Sequence, residues 1–73
     1  MECASFSEEH IVIRILHYDD YYSLFFEDMS ILSIPYHLWD EPYLGQYLLI
    51  QRSEEYGFVM AIKSEDRELS LVA

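Results

Sequence analysis

Basic residues are scarce in this chain. Four Lys and Arg stand against fourteen Asp and Glu, giving a net charge of −10 over 73 residues. Phosphate backbones are held by Lys and Arg, so DNA or RNA is not expected as a direct ligand. Cysteine is equally scarce: Cys3 stands alone, and no intramolecular disulfide is possible. Small secreted domains usually need such staples, so a reducing cytoplasm is the expected compartment. Cys3 itself reads as an inert thiol in a loose N-terminal stretch, residues 1–7. Two glycines in total leave no phosphate-cradling loop, and no GxxxxGK[ST] is present. The longest runs free of Asp, Glu, Lys and Arg, Met29–Trp39 and Pro42–Gln51, fall far short of the roughly 20 apolar residues of a spanning helix. Glu2, Glu8 and Glu9 with no basic start argue against a secretory signal. An acidic chain is also repelled by anionic membrane surfaces.

What the chain does have is apolar and aromatic content. Hydrophobic residues make up 52%, enough for a core, so this is not a disordered acidic tail. A single domain over residues 1–73 is expected from the length. Twelve of the fourteen acids fall in six adjacent pairs: Glu8-Glu9, Asp19-Asp20, Glu27-Asp28, Asp40-Glu41, Glu54-Glu55 and Glu65-Asp66. Successive pairs begin 11, 8, 13, 14 and 11 residues apart. Apolar segments lie between them, as short strands or helices joined by solvated turns would require.

His10 to His17 encloses IVIRIL and reads as a strand, with Ile11, Ile13 and Ile15 on the core face and Val12, Arg14 and Leu16 on the other. On that register, Ile13→Asp is expected to unfold the protein. Tyr18 to Ser33 supports two readings. Asp19 or Asp20 could cap a helix in which Tyr21, Leu24, Phe25 and Asp28 keep helical spacing, or Tyr21 to Phe26 could pair back as a strand. The helix is preferred because it hides both phenylalanines. Pro35 and Pro42 bracket a connection containing Trp39, with at most a turn of helix. Tyr43 to Arg52 could begin as a helix at Asp40 or Pro42, weakened by Gly45. Tyr47 to Arg52, Tyr56 to Lys63 and Glu68 to Val72 read as strands separated by turns. The expected fold class is α+β: a small antiparallel sheet of three to four strands with one or two short helices.

Nothing in the sequence assembles a catalytic site. GxSxG is absent, and adjacent acids on one turn cannot flank a substrate as glycosidase carboxylates do. His10 and His17 are an odd number of residues apart and face opposite sides of a strand. His37 with Asp40 and Glu41 offers two ligand types, but no HxxxH or HExxH spacing occurs. No enzyme activity, cofactor or metal is expected. Seven Tyr, four Phe and one Trp are more than so small a core can hold. Many of these rings stand beside acidic pairs, and rigid aromatics with a polar rim are the usual anchors of protein interfaces. The partner-binding candidates are Asp19, Asp20, Tyr21, Tyr22, Glu27, Asp28, Trp39, Asp40, Glu41 and Tyr43, facing a basic surface of a nucleic-acid-handling protein.

On its size, charge and single cysteine, and on the clusters Asp19-Asp20-Tyr21-Tyr22, Glu27-Asp28 and Trp39-Asp40-Glu41, the chain resembles small acidic bacteriophage proteins that take over host enzymes. That resemblance implies a non-enzymatic regulator of host RNA polymerase, acting in the host cytoplasm. DNA-mimic inhibitors of restriction or CRISPR nucleases are the first alternative. They are often more acidic and helical. A small adaptor or antitoxin with a peptide-binding strand edge is the second.

Overall fold

The computed structural model describes residues 4–71. They form six β-strands: β1 Ser5–His17, β2 Tyr21–Phe26, β3 Ile31–Pro35, β4 Tyr47–Ser53, β5 Val59–Lys63 and β6 Glu68–Ser70. No helix occurs among the described residues, so the α+β expectation is corrected to all-β. Two compact units are formed, residues 10–47 and residues 4–9 with 48–71. β1 begins at Ser5, inside the stretch 1–7 expected to be loose. Cys3 and Val72 lie outside the described residues.

In residues 10–47 the strand order is β3-β2-β1, with antiparallel pairing throughout. β2 explains why the helical reading fails. Tyr22, Leu24 and Phe26 are all fully buried, a period of two. Phe25, on the opposite face, lies beneath the Arg14 guanidinium, 5.7 Å from the ring centroid. The strand thus shelters both phenylalanines, one in the core and one under a cation, which was the helix's main advantage. Each fully buried large apolar side chain contributes about 1.5–3 kcal/mol, more than helical propensity differences can offset.

β1 carries a second correction. Its pairing with β2 shifts between Val12 and Arg14, so that Val12 opposes Phe26 while Arg14 opposes Phe25. The extra residue is Ile13. A bulge of this kind reverses the face of every residue on one side of it. Val12 is accordingly 1% exposed and Ile13 57% exposed. The expected core face Ile11-Ile13-Ile15 is therefore broken at its centre.

The connections follow from backbone chemistry. β2 and β3 are joined through Glu27-Asp28-Met29-Ser30, where Phe26 N–H donates to the Ser30 carbonyl at 3.0 Å. Met29 occupies the left-handed region at φ 73°, a position that glycine normally takes and that costs another residue about 1–2 kcal/mol. The Asp28 carboxylate compensates by accepting from the Ser30 amide at 3.0 Å. Gly45, at φ 87°, turns the chain before β4, and its N–H donates to the Val12 carbonyl at 2.8 Å. The left-handed turn ends any helix from Tyr43, and Tyr47 onward is strand.

In residues 4–9 with 48–71 the order is β1-β4-β5-β6. Leu48, Ile50 and Ile62 are fully buried and form its core, with Ile50 directly opposite Ile62. Gly57, at φ 77°, closes the β4–β5 turn by donating to the Ser53 carbonyl at 2.9 Å. β4, β5 and β6 lie within the three C-terminal segments read as strands, apart from Ser53 at the end of β4. β6 is shorter than that reading, ending at Ser70.

Candidate functional site

Residues 10–47 concentrate the features proposed to bind a partner. They contain six of the seven tyrosines, and six acids against one base, Arg14. The β1–β2 connection is a two-residue turn, Asp19-Asp20, closed by Tyr18 N–H donating to the Tyr21 carbonyl at 2.9 Å. The flanking rings of Tyr18 and Tyr21 stack face to face, with centroids 4.7 Å apart and planes 15° apart. Both rings remain substantially exposed. The two carboxylates therefore project beside a rigid aromatic pair.

The exit of β3 approaches the same turn. Pro35 is the register partner of Tyr21. Its place on the edge strand is one that tolerates a missing N–H. The next amide, Tyr36, donates to the Asp20 carbonyl at 3.1 Å. Tyr36 is held from two further sides. Its ring lies parallel to that of His17, 6.5 Å away, and tilts against Tyr22 at 5.3 Å. His17 is in turn fixed by Glu41, with Nε2 2.7 Å from Oε2. Burial, and then the Glu41 charge, raise the Tyr36 pKa. Between turn and strand exit lies an open pocket of about 850 Å³. Its walls are Asp19, Asp20, Tyr21, Pro35 and Tyr36, with Ser33 and His37 completing the lining. The Ser33 hydroxyl is engaged with that of Ser23 at 2.8 Å.

The ten sequence-derived candidates divide among several places. Asp19, Asp20 and Tyr21 line the pocket, and Glu41 supports it through His17. Tyr22 and Trp39 are core residues, at 0% and 6% exposure, and cannot present rings to a partner. Their role is positional: the Tyr22 hydroxyl donates to the Trp39 carbonyl at 3.0 Å, tying down the segment that carries Tyr36. Asp40 is exposed but does not line the pocket. Tyr43 is 70% exposed, in the turn that bonds to Val12. Glu27 and Asp28 lie at the far end of β2, about 20 Å from Asp19-Asp20 at the rise of a β-strand.

That far end is a separate polar cluster. His10 is buried, with Nδ1 3.0 Å from Glu27 Oε1 and Nε2 3.7 Å from Asp28 Oδ2. The Ile11 N–H donates to Glu27 Oε2 at 3.1 Å. Desolvation works to raise the Glu27 pKa, but the bonds from His10 and Ile11 outweigh it, and the net direction is downward. Bonds from the Ser30 hydroxyl and amide lower Asp28 likewise. A lowered folded-state pKa means that the unfolded chain binds protons first as the pH drops. The stabilisation is thus complete above the ordinary carboxylate range and is lost as pH falls through the lowered values. Glu27→Gln is expected to flatten the acid limb of stability against pH and to reduce stability at neutral pH. Urea unfolding from neutral to acid pH measures both; an unchanged acid limb would contradict the assignment.

Tyr18, His17, Pro35, Tyr36 and His37 were missed as site residues. Tyr18 carried a signal, since it adjoins Asp19-Asp20, and Tyr36 a weaker one, three residues before Trp39-Asp40-Glu41. His37 and Pro35 join the site only through the β2–β3 pairing, which a helical reading of Tyr18–Ser33 removes.

No protein-family model, curated protein or solved structure matches this chain. No helix among the described residues is long and apolar enough to cross a membrane.

Proposed function

We propose that this protein is a non-enzymatic regulator that grips a basic surface of another protein, with the bacteriophage-like resemblance making host RNA polymerase the first partner and the host cytoplasm the compartment. The supporting observation is the face built by Asp19, Asp20, Tyr18, Tyr21 and Tyr36. There, exposed rings stack on or pack against neighbouring rings beside exposed carboxylates, on a backbone closed by hydrogen bonds. Packed aromatics lose little entropy on binding, and carboxylates steer a cationic partner and set its orientation. The unit that carries this face has a single Lys or Arg, Arg14, and it sits over Phe25.

Immobilised protein incubated with bacterial lysate at low salt is expected to retain RNA polymerase subunits, identified by mass spectrometry. The bound material is expected to elute as salt rises, because exposed charges are screened. Failure to retain polymerase subunits at low salt would overturn the partner assignment. Retention that persists at high salt would favour a strand-edge adaptor instead.

A further inference from the structure

We infer that the pocket between the β1–β2 turn and the exit of β3 receives a single arginine side chain of the partner, together with its flanking backbone. The inference deepens the function proposed above and rests on that reading for its biological partner, but its chemistry stands on the pocket. The space is an open recess of about 850 Å³, wide enough for one side chain with its flanking backbone. Its chemistry has two parts. Tyr21, Tyr36 and Pro35 offer rings and apolar surface for a methylene stem and a flat cation. Asp19 and Asp20 bring negative charge to the same opening. Neither carboxylate pairs with a cation among the described residues.

Arginine fits this combination better than lysine does. Its guanidinium is planar, weakly hydrated and able to stack on a tyrosine face while donating two parallel bonds to one carboxylate. A lysine ammonium is a compact, strongly hydrated point charge that uses the acids but gains less from the rings. The walls are also set before binding. The Tyr36 backbone is held by the Asp20 carbonyl and its ring packs against His17 and Tyr22, while the Tyr21 ring stacks on Tyr18. Pre-ordered walls lower the entropy cost of capture. His37 is the remaining titratable group of the lining, and the Ser33 hydroxyl is occupied by Ser23.

The test uses the full chain, 15N-labelled, titrated with acetyl-Gly-Arg-Gly-amide and followed by NMR amide shifts. Saturable shifts are expected at Asp19, Asp20, Tyr21, Tyr36 and His37, with roughly millimolar affinity, as befits one side chain. The same peptide with citrulline, isosteric but uncharged, is expected to bind at least about tenfold more weakly, and the lysine peptide to fall between them. Asp19→Asn, at an exposed position, is expected to weaken binding of the arginine peptide while leaving the remaining spectrum in place. Shifts that do not saturate, equal binding of the citrulline peptide, or shifts confined to Glu27 and Asp28 would overturn the assignment. The two proposals fail separately. Polymerase capture without tripeptide binding would remove the arginine pocket and leave the regulator. Tripeptide binding without polymerase capture would remove that partner and leave the pocket.

Discussion

Aspartate at Val12 is expected to unfold the protein, whereas aspartate one residue along, at Ile13, is expected to leave it folded. The two positions are neighbours on one strand and nearly alike in chemistry, so the contrast isolates the bulge. Val12 is 1% exposed and opposes the fully buried Phe26. Replacing it forfeits about 1.5–3 kcal/mol of burial and places an unpaired charge in the core at a cost of several more. A chain of this length has roughly 5–10 kcal/mol of stability in all, so little or none would remain. Ile13 is 57% exposed, and its carboxylate replacement would stay in water. The loss there is about 1 kcal/mol, from partial burial and strand preference. Far-UV circular dichroism and urea unfolding of both variants decide the matter. A folded Val12→Asp beside an unfolded Ile13→Asp would restore the uninterrupted register and refute the bulge.

Reversing Asp19 and Asp20 to lysine is expected to have the opposite profile: binding is lost and folding is kept. Both residues are exposed in a two-residue turn whose closing bond runs between backbone atoms of Tyr18 and Tyr21. Neither side chain holds the turn shut. The change takes the net charge from −10 to −6, since each substitution removes one negative charge and adds one positive. Reduced self-repulsion leaves stability equal or slightly higher. At the interface, two attractive charges become repulsive. Like-charge juxtaposition across an interface costs several kcal/mol, so a weakening of about a hundredfold or more is expected. A destabilised double variant would show that the turn acids are structural.

The parts of the fold that were legible in the sequence are those whose pattern is local. The C-terminal strands alternate between clear turn signals, and β4, β5 and β6 appear there. His10–His17 is β-branched and lies within β1. The misreadings have physical causes. In Tyr18–Ser33 the same apolar residues satisfy a period of 3.6 and a period of two. The deciding factor is tertiary: Tyr22, Leu24 and Phe26 pack inward, while Arg14 arrives from β1 to cover Phe25. A bulge leaves no mark in composition, so the face of Ile13 could not be read from alternation. The site shows the same division. Asp19, Asp20 and Tyr21 are contiguous and were found together. Tyr22 and Trp39 have interface-like chemistry, but their burial follows from the packing of β2 and the 36–39 turn. Glu27 and Asp28 are close to Asp20 in sequence, yet an extended strand carries them to the opposite end of the hairpin.

The most direct measurement is the affinity of the protein for purified RNA polymerase as a function of salt, with the wild type and the Asp19→Lys/Asp20→Lys variant side by side. The expected result is wild-type binding that weakens steeply with ionic strength and a variant that fails to bind even at low salt. Equal affinities for the two proteins, or no wild-type binding at low salt, would contradict a ring-and-carboxylate face that grips this cationic partner.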